Sequence, residues 1–217
     1  MTPDGPGVAG SPPVPAWLRK LAADGAAMEL PAPLRPPAGG GRPSAVLVLF
    51  AEGPGGPGHP DLLFIQRSNG LRLHAGQPAF PGGSIDAADS GPVAAALREA
   101  AEEVGVDPAG VDVVGTLPEL FIPPTGFRVV PVLAWWRRPA AVGPVDPGEV
   151  AAVERVGVRE LADPAARLTV RVRDGRITPA FRVRGMLIWG FTAVLVDRLL
   201  SLGGWEQPWD AAEVVDL

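Results

Sequence analysis

Arg98-Glu99-Ala100-Ala101-Glu102-Glu103-Val104-Gly105-Val106 is the stretch on which the reading of this chain turns. Wound as a helix at about 100° per residue, it places Glu99, Glu102 and Glu103 within about 100° of one another, because positions three and four apart share a face. Leu97, Ala101 and Val104 fall opposite, with Val93 and Ala94 one turn earlier, so the spacing predicts a small apolar stripe facing away from three carboxylates. No basic residue stands among the three. Like charges so spaced repel, and a cation held between them removes the repulsion. Clustered carboxylate oxygens suit a hard ion such as Mg²⁺ or Mn²⁺. The other reading is a solvated acidic face, since glutamate favours helices and charge runs are mostly exposed.

The flanks frame this helix. Ser90 is placed to cap it, Pro92 sits in its first turn, and Gly105 is a normal C-terminal glycine. Before it, Ser68 to Gly83 reads as a long polar loop, and Gly82-Gly83 permits close backbone approach. Loop continues from Ser84 to Gly91 with Asp86 and Asp89. Further out, Ser44 to Phe50 reads as a buried strand and Asp61 to Arg67 as a second. A Gly/Pro turn carrying an exposed His59 joins them as a hairpin. Downstream strands are expected at 111–117, 128–136 and 150–158, with a short helical turn at 159–162. A hairpin of 168–173 and 177–183 turns at Asp174-Gly175. Arg184 to Leu202 reads as one buried helix from about Gly185, ending at Gly203-Gly204. Strands on both sides of one acidic helix, with a long helix near the end, predict an α/β (α+β) fold: a mixed sheet between helical layers.

Three segments follow from composition. Residues 1–43 are rich in proline and glycine and are expected to be largely disordered. A short helix from Pro15 would bear Trp17, Leu18 and Leu21, a sticky face for the domain or for the second subunit of a homodimer. Residues 44–202 form the domain, and 203–217 a tail with Trp205 and Trp209. The absence of cysteine excludes disulfides, thiolate zinc sites and a cysteine nucleophile. A net charge of −5 without a basic tract argues against nucleic-acid binding. No apolar run is long enough to span a membrane and no signal pattern opens the chain, so a cytoplasmic protein is expected. Of 19 basic residues only Lys20 is lysine. Arginine suits phosphate, although coding composition accounts for the bias as a whole.

With these residues in view, the chain resembles the Nudix hydrolases, whose usual signature is Gly-x5-Glu-x7-Arg-Glu-U-x-Glu-Glu-x-Gly-U, with U bulky and apolar. Residues 98–106 match its second half, with Ala100 smaller than the pattern prefers. The first half departs: from Gly83 five residues lead to Asp89 rather than Glu, and eight separate Asp89 from Arg98. That insertion is similar to the coenzyme A pyrophosphatase branch. So are Leu62 to Ser68, Leu71 to Gln77 and Phe80 to Asp86 before the box, although Pro78 replaces an aliphatic residue. Pro124 to Phe127 with Pro131-Val132, and Ile188 to Ala193, look like further branch features.

The resemblance implies a Nudix-type α/β/α sandwich. It implies Glu99, Glu102 and Glu103 as ligands of Mg²⁺ or Mn²⁺, with the Gly83 carbonyl a further one. Asp89 would stand for the family's first Glu and pair with Arg98. The general base is a helix glutamate or a carboxylate from a later loop, where Glu149 fits, unless Glu149 is a solvated charge. The implied small-molecule substrate is coenzyme A or a derivative, cleaved to 3′-phosphoadenosine 5′-phosphate and 4′-phosphopantetheine. Arg67 and Arg72 would hold its phosphates, and Gly82 would lie on the substrate side. His74 and Gln77 would contact substrate or order the loop. The alternatives are another nucleoside diphosphate derivative, such as ADP-ribose or a dinucleoside polyphosphate, or a non-catalytic nucleotide-binding regulator.

Overall fold

The computed structural model describes residues 13–70, 75–123, 125–172, 175–211 and 214–217. In chain order the first half holds α1 (Ala16–Ala26), β1 (Arg42–Glu52), β2 (Pro60–Arg67), β3 (Pro78–Ala79), β4 (Gly82–Ser84) and α2 (Pro92–Val104). Then come β5 (Val111–Thr116), β6 (Leu120–Ile122), β7 (Phe127–Trp136), β8 (Val150–Gly157) and α3 (Val158–Ala162). The chain ends with β9 (Arg167–Arg171), β10 (Ile177–Val183), β11 (Met186–Ile188), α4 (Gly190–Leu202) and β12 (Val214–Asp216).

β1 is the spine. Its side chains alternate between two cores with the period of two that a pleated strand imposes. Ala45, Leu47, Leu49 and Ala51 enter one core, with Leu63, Ile65, Ala134 and the alanines of α2. Val48 and Phe50 enter the other, with Leu62, Phe64, Leu133 and residues of α1, α3 and α4. β2 returns antiparallel beside β1, Phe50 opposite Leu62, as the hairpin expectation holds. β7 runs parallel on the other side, Arg42 opposite Phe127 through Phe50 opposite Trp135. The main sheet has the order β3-β2-β1-β7-β5, with β4 added to β1, β6 to β7 and β8 to β2. This is a mixed sheet between helices, the fold class expected. A second sheet, β11-β10-β9-β12, stands beside it. None of the helices described is long and apolar enough to cross a membrane.

Several local expectations give way. On α2 the buried residues are Ala95, Ala96, Ala100, Glu103 and Val104, while Val93 and Leu97 of the expected stripe pack half-buried against the same core. Small alanines let the helix lie close to the sheet, and that turns Glu103 inward. The helix is capped by Gly91, at φ 144, and not by the Ser90 side chain. The segment after β10 is not one helix. Arg184 (φ 51) and Gly185 (φ 75) form a tight reversal, the two positive φ values that a two-residue hairpin needs. Val183 then pairs with Met186, and α4 begins only at Gly190. Asp174 of the expected turn lies outside the described residues, but β9 and β10 do pair antiparallel. His59 is half-buried rather than exposed; its Nδ1 lies 2.9 Å from where a Cβ on Gly55 would stand. The expected loop 68–83 contains β3 and the start of β4, and β6 lies between the strands expected at 111–117 and 128–136.

The chain termini are less loose than their composition suggests. α1 spans 11 residues and buries Leu18, Leu21, Ala22 and Gly25 in the same core as α4. Trp17 packs edge-on against Phe50 and Trp205, with ring centroids at 5.3 and 5.1 Å. β12 pairs parallel with β9, Val214 opposite Thr169. Leu18 is fully buried, so Leu18→Ala is expected to destabilise the protein by about 2–5 kcal/mol. Urea unfolding checks this: a change of a few tenths of a kcal/mol, as at a surface site, would show that α1 is not part of the core.

Candidate active site

Two glycines bring the acidic helix to the sheet. β4 lies antiparallel on β1, with Gly82 opposite Val46 and Gly83 opposite Ala45. A Cβ on Gly82 would lie 2.3 Å from the Ala45 carbonyl oxygen and 2.6 Å from Val46 Cα, and its φ is 155°. No side chain fits there. A Cβ on Gly83 would lie 2.5 Å from Glu99 Oε1, so the bare backbone of Gly83 is the floor on which the Glu99 carboxylate rests.

Glu103 reaches the same place. Its Oε2 accepts the Gly82 N–H at 2.9 Å, its Oε1 lies 3.8 Å from Arg67 Nη1, and the side chain is 7% exposed. Burial pushes its carboxyl up to about 7, against the pull of the Gly82 N–H and the Arg67 guanidinium; the nearby Glu99 and Glu149 push the same way as burial. Burial also raises Glu99, opposed by Arg98.

Arg98 ties loop to helix. Nε and Nη2 donate to the two oxygens of Asp89 at 3.1 and 3.0 Å. Nη2 also donates to the Ser84 carbonyl at 3.1 Å. Nη1 donates to Glu102 Oε2 at 2.9 Å and lies 3.1 Å from Glu99 Oε1. The hydrogen bonds from Arg98 hold Asp89 below the usual carboxylate range, helped by the Asp86 N–H. The same contact with Asp89 raises the Arg98 guanidinium above its ordinary value. The pairing of Asp89 with Arg98 is thus in place despite the extra residue between them.

The other site residues divide. Glu149 is exposed, but its carbonyl accepts the Ser68 N–H at 2.8 Å, beside Arg67 opposite Val150. The preceding loop is fastened to the end of α2: the N–H of Gly143 donates to Val104 O and that of Val145 to Glu103 O. Gln77 offers its carbonyl to the Arg67 N–H at 3.1 Å. Arg67, Gln77, Glu149 and Glu103 therefore share one neighbourhood. Arg72 and His74 lie outside the described residues. Gly82, expected on the substrate side, has its N–H committed to Glu103 instead. The Ser84 carbonyl had no signal in the sequence, since backbone acceptors carry none, and Asp86, read only as a loop residue, lies 3.7 Å from Arg98.

Among the described residues, no three acidic or histidine side chains converge as a ready cage for a metal. Arg98 stands between Glu99 and Glu102, and Glu102 is turned outward at 60% exposed. The donor chemistry nonetheless fits a hard cation, with three carboxylates on adjacent turns of one helix and no nitrogen or sulfur donor among them.

Comparison with known proteins agrees with this geometry. The model of the family described as NUDIX domain matches residues 41–181. A 92-residue stretch is 49% identical to the "Uncharacterized Nudix hydrolase NudL" of Escherichia coli (strain K12), covering 42% of this chain and 45% of that one. The protein of the same name from Shigella boydii serotype 4 matches equally. The match thus spans under half the length of these relatives. The crystal structure of a Nudix hydrolase from M. smegmatis, RenU, superposes with a TM-score of 0.55 at 22% identity. It covers 79% of this chain and 91% of that one, a likeness of fold.

The buried Glu103 carries a pH signature. Its carboxyl titrates near 4.5 unfolded and at about 7 folded, so between those values the folded chain binds more protons. Its contribution is full below about pH 4.5 and is lost, by about 3 kcal/mol, as the pH rises through 7. Urea unfolding in chelator across this range is expected to show that loss for the native protein and a flatter profile for Glu103→Gln. Parallel profiles would mean the carboxylate is solvated.

Proposed function

The chain belongs to the Nudix family, and from that premise we propose that it hydrolyses the diphosphate linkage of coenzyme A or a derivative, releasing 3′-phosphoadenosine 5′-phosphate and 4′-phosphopantetheine. The observation that carries the reading is the seating of Glu99 and Glu103 on Gly83 and Gly82 beside Arg67. An acidic helix, a side-chain-free turn and an arginine meet at one place. The substrate class is supported by the similarity of Leu62 to Ser68 and Phe80 to Asp86 to the coenzyme A branch, and by the one-residue-longer loop that Asp89 still ties to Arg98.

Glu99, Glu102 and Glu103 would hold a divalent ion, Mg²⁺ or Mn²⁺, with the Gly83 carbonyl as a further donor. When bound, such an ion neutralises diphosphate oxygens and acidifies a coordinated water. The residues of the chain do the rest. Arg67 pairs with a phosphate oxygen through a guanidinium whose Nε has no partner among the described residues. Arg98, anchored by Asp89, fixes the helix against the loop beside Glu99 and Glu102, which would hold the ion. Glu149, exposed beside Arg67, takes the proton from the attacking water. We place this activity in the cytoplasm, on a soluble nucleotide.

Incubation with coenzyme A and Mg²⁺ or Mn²⁺, with the products identified, tests the reading. Cleavage to the two named products is expected. Strong turnover of ADP-ribose or a dinucleoside polyphosphate without coenzyme A cleavage would replace the substrate class. Glu102→Gln is expected to lower turnover by orders of magnitude with the fold intact, since Glu102 is mostly exposed and ligand charge matters more to the metal than to the helix. Unchanged turnover would remove Glu102 from the site.

A further inference from the structure

An open cleft of about 290 Å³ lies between the second sheet, α4 and the C-terminal tail, on the side of the main sheet that α4 rather than α2 covers. At its base is Arg167, only 6% exposed. Its guanidinium is held between two rings, 5.3 Å from the Phe181 centroid and 4.6 Å from that of Trp209. Nη2 donates to Asp197. Nη1 stops 3.7 Å from Glu206 Oε1, and neither Nη1 nor Nε has a hydrogen-bond partner among the described residues. Buried donors are almost always satisfied, and an ion pair with Asp197 explains only one of the nitrogens.

We propose that this cleft binds a free α-amino acid. Arg167 offers two donors at its depth with no partner among the described residues, where a carboxylate would accept. Asp197 and Glu206 are 31% and 47% exposed, so their oxygens stand nearer the rim, where an ammonium would donate. Ile177, Pro179 and Trp209 supply an apolar wall for a side chain. One guanidinium against two carboxylates leaves a net charge of −1. A plain anion is therefore repelled, and a plain amine leaves Arg167 unsatisfied. A molecule with both charges on neighbouring atoms meets every unmade contact.

Titration of the metal-free protein followed by ligand-observed NMR tests this with three probes: leucine, 4-methylpentanoate (no ammonium) and 3-methylbutylamine (no carboxylate). Leucine is expected to bind with a millimolar or tighter dissociation constant, and each singly charged analogue at least about tenfold more weakly. Glu206→Gln and Trp209→Ala are each expected to weaken leucine binding about tenfold. Glu206 is half-exposed and outside the proposed diphosphate site, so its variant should keep the native unfolding midpoint and turnover. Binding of 4-methylpentanoate as tight as leucine would overturn the proposal in favour of a simple anion site. No binding by leucine would overturn it in favour of water on Arg167.

Discussion

Two positions without side chains decide how this molecule closes. At Gly82 the obstruction to any larger residue is backbone, the Ala45 carbonyl and Val46 Cα, and no rotamer change relieves it. At Gly83 it is the end of a flexible carboxylate, which can swing away. The first glycine is thus a requirement of the sheet and the second a requirement of the site. With β4 this close to β1, the alanine face of α2 can settle on the strands, and Glu103, in line with Ala96 and Ala100 at helical spacing, arrives at the Gly82 N–H.

Such a seat is electrostatically demanding. A buried carboxylate loses its hydration and is tolerated only with hydrogen-bond and charge partners. Glu103 has one of each, in Gly82 and Arg67, and still sits well above its ordinary titration range. Arg98 eases the crowding next door by spreading one planar guanidinium over Asp89, Ser84, Glu102 and Glu99. A lysine ammonium, a point charge with three donors, has no comparable reach. Glu99, Glu102 and Asp89 are kept in register by a single guanidinium.

Much of this was legible in the residues. The run Ser44 to Phe50 and its hairpin with Asp61 to Arg67, the hairpin of 168–173 with 177–183 and the acidic helix follow from period and spacing, and the Asp89–Arg98 pair from the family resemblance. What escaped has a physical pattern. The inward turn of Glu103 depends on how closely alanines let a helix approach a sheet, which is a tertiary distance. The strand Met186 to Ile188 was hidden because an apolar run beside a sheet reads equally as helix, and Arg184 gives no sign of the positive φ that reverses the chain. Ser84 acts through its carbonyl, common to every residue. α1 was legible in part: the helix from Pro15 with Leu18 and Leu21 on its docking face was expected, whereas its run to Ala26 and its place in the main core were hidden by the surrounding proline and glycine.

The meeting of Trp17 with Trp205 also bears on how the protein is made. α1 and Trp205, which follows α4, share one core, so that core stays open during translation until Trp205 has left the ribosome. Contacts of such long range slow folding and leave apolar surface exposed in the meantime. Until then Phe50, Trp135 and Trp17 lack the ring that closes their cluster.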